Sequence, residues 1–148
     1  MRHLLLTILA IAGVWVAAAQ PAIIPTPQRY TALSGVFTLT SSDNISVVNG
    51  ELLPLADYLA DRLNIGVATN GNITLRLDAS LKAEEYRLSV DADKVEIRGG
   101  GYGGVFNGIA TLFQLLPTDV YSTLKLPAHI ACCSVEDAPR YDYRGFML

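Results

Sequence analysis

The sequence predicts an α+β fold, a two-layer sandwich in which a mainly antiparallel sheet carries two helices on one face. Three observations carry this reading. Short segments of apolar–polar alternation cluster between residues 73 and 97, and two longer segments repeat apolar residues at three- and four-residue steps. The alternating segments make a sheet with one apolar face, and the two helical stripes are what can cover it.

The first residues read as a targeting signal. Arg2 and His3 precede an apolar run from Leu4 to Val16, and Ala17-Ala18-Ala19 supplies a small-residue cleavage site before Gln20. The run is short of the roughly 20 residues that a spanning helix needs, so residues 1–19 are expected to be a signal peptide. They leave no stable membrane anchor, and the product is expected to be exported, periplasmic or secreted. The remainder is 129 residues, 148 less 19, which is the size of one domain. Ten basic residues then face fourteen acidic ones, with no basic stripe. That balance argues against nucleic acid or an anionic membrane as partner.

Along the mature chain, Pro25 and Pro27 enforce an extended lead-in. Val36 to Thr40 and Ile45 to Val48 read as short strands around a Ser41-Ser42-Asp43-Asn44 turn. A helix is expected over Glu51 to Asn64, striped by Leu52, Leu55, Ala56, Leu59 and Leu63, with Pro54 in its first turn. Three strands follow, centred on Ile73 to Leu77, Tyr86 to Val90 and Val95 to Ile97, the last two joined by an Asp91-Ala92-Asp93 hairpin loop. The second helix spans about Gly103 to Leu116, with Val105, Phe106, Ile109, Ala110, Phe113 and Leu116 on its apolar side and Pro117 as its stop. Leu126 to Ser134 is a further extended segment.

Candidate chemistry is sparse. Gly99 to Gly104 satisfies the dinucleotide-binding pattern G-x-G-x-x-G, but its strand reads as part of a hairpin. No acidic residue closes a later strand at the required distance, since Asp119 follows a helix-ending proline. The run is therefore expected to be a tight strand-to-helix turn needing positive φ and close packing, and no cofactor is expected. His129 and the Cys132-Cys133 pair lack the ligand set of a metal site. One thiol is expected to be buried, and its neighbour more exposed or covered by a partner domain. The sequons at Asn44 and Asn72 read as turn residues. Glu84-Glu85 and Glu136-Asp137 read as solvated carboxylates, and no catalytic residue is assigned.

Four segments nevertheless form a pattern. They are Ile24-Pro25-Thr26-Pro27-Gln28; Glu85 to Val90 with Val95-Glu96-Ile97; Gly103 to Leu116, which contains G-x-x-x-G-x-x-T-L-x-Q-L; and Val135 to Leu148. Together they resemble the family-20 glycoside hydrolases, the β-N-acetylhexosaminidases. The resemblance implies a non-catalytic auxiliary α/β domain over residues 20–140, with residues 141–148 beginning the first strand of a catalytic (β/α)8 barrel. It implies packing of the domain on that barrel and N-acetylhexosamine-containing glycans as substrates. It also implies substrate-assisted hydrolysis, in which the 2-acetamido group attacks C1 under an Asp-Glu pair. That pair is absent from this chain, which alone is expected to be inactive. Arg144 is the one residue matching a family sugar-binding position, where a guanidinium fork suits vicinal hydroxyls. The alternatives are a stand-alone carbohydrate-binding or interaction module, or the auxiliary domain of another glycosidase family.

Overall fold

The computed structural model describes residues 23–117 and 125–141. The expected signal peptide and Arg144 lie outside the described residues.

The chain enters as strand β1 (Arg29–Leu39), turns into β2 (Asn44–Val47) and passes a 3-10 turn (Gly50–Leu52) into helix α1 (Leu53–Leu63). Pro54 sits in the first turn of α1, and Asn64 ends it in the left-handed conformation with φ 53°. An isolated helix of this length is marginal in water. It is held by burial of Leu55, Ala56, Leu59 and Leu63, each leucine contributing about 1.5–3 kcal/mol relative to exposure. A two-residue strand β3 (Gly66–Val67) leads to β4 (Ile73–Leu77), and a hairpin of β5 (Tyr86–Val90) and β6 (Val95–Gly99) follows. Helix α2 (Tyr102–Leu115) and strand β7 (Ala128–Asp137) complete the order.

All seven strands form one sheet, ordered β1-β7-β5-β6-β4-β2-β3. The β1–β7, β7–β5 and β5–β6 pairs are antiparallel and provide most of the ladder; β6–β4, β4–β2 and β2–β3 are parallel. The α+β sandwich with a mainly antiparallel sheet is therefore the observed architecture. Its parallel half was not expected: β4 pairs with β6, while β5 lies on the far side of the hairpin. The reason is topological, because α1 carries the chain from β2 over to its parallel neighbour β4.

Three local expectations are revised. Strand β1 begins at Arg29, seven residues earlier than the alternation suggested, and is irregular between Ala32 and Val36. Gly35 there takes φ 115°, a region open to glycine. In α2 the buried side is Gly104, Val105, Gly108, Ile109, Thr111 and Leu112, whereas Phe106 is 45% exposed. The two thiols are free and both buried: Cys133 joins the main core, and Cys132 lies by Gly35.

The glycine run holds to its expected role in one respect only. None of its members has positive φ. What it provides is close approach, since a side chain on Gly100 would collide with the Lys82 carbonyl. The sequon asparagines are structural. Asn72 Nδ2 donates to Asp43 Oδ1 at 2.7 Å, and Asn72 Oδ1 accepts the Asn44 N–H at 3.4 Å.

A cleft lined by the four motif segments

The four segments singled out in the sequence are remote from one another along the chain, and the fold brings their described residues together along one side of α2. The extended segment from Ile23 to Gln28 runs beside the end of β7. The Gln28 N–H donates to Asp137 Oδ1 at 3.2 Å, and Gln28 Nε2 donates to the Ala138 carbonyl at 3.0 Å. Arg29 pairs with Glu136 at 3.2 Å. From α2, Gln114 Oε1 accepts the Ile24 N–H at 2.7 Å, and Asn107 Nδ2 donates to the Glu84 carbonyl at 3.2 Å.

Beneath these contacts the Tyr86 hydroxyl meets Thr111 Oγ1 at 2.6 Å in a buried position. Burial holds the tyrosine above its ordinary pKa of 10.0; the Thr111 bond opposes that rise and the Asp137 carboxylate adds to it. The ring and hydroxyl reach this point because Gly108 leaves room for α2 to sit on Ile97 and Tyr86.

Between the lead-in, α2 and the end of β7 lies a cleft of about 370 Å³, with Thr26, Asn107, Thr111, Gln114, Asp137 and Arg140 among its lining residues. Tyr141, the last described residue, stands at its edge and is 73% exposed. Several polar groups in and around the cleft hold chain segments to one another. The carboxylate of Asp137 accepts a backbone N–H, Glu136 is ion-paired, and Glu85 Oε2 accepts the Lys82 N–H at 3.1 Å. The arrangement ties the lead-in, α2 and the end of β7 to one another.

Sequence reasoning found the segments but not their pairings. Gln28, Thr111 and Gln114 were visible only as motif letters, and nothing in their spacing tells which distant backbone each one holds. Among the described residues, no group of three or more His, Cys, Asp or Glu side chains is placed to hold a metal ion.

Comparison with known proteins gives a consistent picture. Residues 20–138 match the model for glycosyl hydrolase family 20, domain 2. A β-hexosaminidase of Porphyromonas gingivalis is 37% identical over 141 residues, covering 85% of this chain and 18% of the relative. One from Vibrio furnissii is 33% identical over 140 residues, covering 88% and 22% respectively. The chain thus spans about a fifth of the length of these relatives. Among solved structures, Streptomyces plicatus N-acetyl-β-hexosaminidase in complex with thio-NAglucal superposes with a TM-score of 0.76 at 32% identity, covering 82% of this chain and 27% of that one.

Proposed function

Because the chain belongs to glycosyl hydrolase family 20 and matches its domain 2, we propose that it serves as the auxiliary domain of a longer β-N-acetylhexosaminidase. In this reading the complete protein is exported and removes terminal N-acetylhexosamine from glycans by substrate-assisted hydrolysis. The observation that carries it is the interlocking of all four motif segments around the exit cleft. Gln28, Asp137, Tyr86, Thr111 and Gln114 build a fixed departure point for whatever follows Tyr141.

The outer side of the helices supports the same reading. Tyr58 of α1 lies against Phe106 and Phe113 of α2, with ring centroids 6.0 and 6.1 Å apart, and Leu53, Tyr102 and Phe106 are each more than two-fifths exposed. An aromatic surface of this kind suits packing against another folded unit. We assign it to the catalytic barrel. Arg144, just past the described residues, is assigned to the hydroxyls of the terminal sugar.

Turnover of an aryl N-acetylglucosaminide tests this division of labour. The 148-residue chain is expected to give none, while a longer protein carrying the Asp-Glu pair hydrolyses the substrate and shows a raised KM when Arg144→Ala is introduced. Hydrolysis by the purified chain alone would refute it.

A further inference from the structure

Three asparagine–glycine steps occur in the chain: Asn49-Gly50, Asn70-Gly71 and Asn107-Gly108. Such a step has a chemistry of its own. The glycine nitrogen can attack the asparagine Cγ: a C–N bond forms, the Cγ–Nδ2 bond breaks, and ammonia leaves carrying the proton from the glycine nitrogen. The five-membered succinimide that results is opened by water at either carbonyl, giving aspartate or the β-linked isoaspartate. Glycine favours the attack because no Cβ crowds its nitrogen, and asparagine is among the thermolabile residues.

The sequence makes the three steps equal, and the fold does not. Gly108 lies in the middle of α2, where its N–H is a rung of the helical ladder. Asn107 Nδ2 is held there by the Glu84 carbonyl at 3.2 Å. Asn49 precedes the 3-10 turn; its backbone carbonyl accepts the Leu52 N–H at 2.9 Å, and its Oδ1 accepts the Leu77 N–H at 2.9 Å. Turning its Cγ toward Gly50 costs the bond to β4. Asn70, by contrast, is exposed in the loop between β3 and β4. Among the described residues, neither its side chain nor the Gly71 N–H enters a hydrogen bond.

Packing requires the glycine at this step. A Cβ on Gly71 would collide with the Asn44 carbonyl, and the Gly71 carbonyl accepts from Ser46 Oγ at 3.5 Å. The fold thus sets an exposed, unheld amide directly before an obligatory glycine whose N–H is free. We propose that Asn70 is a modification site of the folded protein, deamidating through a succinimide with water as the sole co-reactant. Each event replaces a neutral amide by a carboxylate and takes the formal net charge one unit below −3. The new charge arrives two residues from Asn72, whose Nδ2 donates to Asp43 Oδ1 at 2.7 Å. Nothing in this chemistry depends on the hydrolase reading.

Peptide mass spectrometry of the 148-residue chain, aged in mildly alkaline buffer and then digested with trypsin, tests the proposal. Cleavage after Arg62 and Arg76 releases a peptide that holds the Asn70 step and neither of the other two. The amide-to-acid mass gain is expected to accumulate at Asn70 at least about tenfold faster than at Asn49 or Asn107, whose hydrogen bonds must open first. In concentrated urea the three rates converge, because the protection belongs to the fold. Asn70→Gln, whose longer amide closes a six-membered ring far more slowly, removes the fast-growing acidic form on anion exchange and leaves the urea midpoint of the fresh protein unchanged. Equal rates at the three steps in the folded chain, a faster Asn49 or Asn107, or an unreacted Asn70 would overturn it. So would an acidic form that persists in Asn70→Gln, or a preference for Asn70 undiminished in urea.

Discussion

Cys133 shows how one buried side chain ties stability to pH. Burial pushes its thiol up to about 11 from an ordinary 9.0; the Tyr30 hydroxyl opposes the rise by hydrogen bonding, and Cys132 adds to it. Tyr30 is itself raised, first by burial and then by Cys133. The folded state therefore holds its proton more tightly than the unfolded chain does. The associated stability is present in full below pH 9.0 and is lost as pH rises through about 11. Urea unfolding at a series of pH values from 8 to 11 is expected to show a midpoint that falls across this window. In Cys133→Ala the fall is shallower, even though the lost sulfur leaves a small cavity that lowers stability at every pH. An identical alkaline slope in both proteins would mean that the thiol is not the group responsible.

At the scale of elements, α2 is set by its glycines as much as by its apolar residues. A side chain on Gly108 would meet Ile97 Cγ2 at 2.5 Å and the Tyr86 ring at 3.3 Å, whereas one on Gly103 would make ordinary contact with Glu84 Cγ at 3.6 Å. The same chemical change is therefore expected to have opposite signs. Gly103→Ala gains helix propensity, up to about 1 kcal/mol, and Gly108→Ala loses about 1–3 kcal/mol to overpacking. Thermal denaturation of the two variants checks this, and a stabilised Gly108→Ala would show that α2 has slack against the sheet. The same glycines explain a misreading. Phe106 and Ala110 look like core by residue type, yet the contact face is Gly104, Gly108 and Thr111 with Val105, Ile109 and Leu112. Periodicity counts apolar letters and is blind to a face built for closeness. The start of β1 was missed for a related reason, since Arg29 to Gly35 form a largely exposed edge strand with a bulge and carry no alternation. Helix α1 and the Tyr86–Gly99 hairpin were legible because each carries its whole signal locally. The insertion of β7 between β1 and β5 was not, because pairing partners about 50 to 100 residues apart leave no mark on local pattern. The exit cleft falls in the same class: its residues were readable as a family pattern, while their mutual contacts exist only in the fold.

For the whole molecule, the two faces of the sandwich make different demands. The open sheet face carries charged and hydroxyl side chains such as Arg76, Arg87, Glu96 and Ser134, but the outer side of the helices leaves aromatic rings at the surface. Arg62 covers Tyr58 with its guanidinium carbon 5.5 Å from the ring centroid, a cation–π contact that shields part of the patch. Phe106 remains 45% exposed beside it, so removing its ring costs the isolated domain little. Within a longer protein in which this surface is covered by the barrel, the same ring is fully buried and its loss leaves a gap at an interface. Phe106→Ser is therefore expected to shift the stability of this chain by no more than about 1 kcal/mol and that of the longer protein by about 2 kcal/mol or more. Paired melting curves of the two proteins separate these cases. Equal losses would place Phe106 in the domain's own packing, and the helical face would then have no claim to be the barrel's seat. A larger loss in the longer protein ties the aromatic surface to the barrel proposed as its partner, and so supports the auxiliary role.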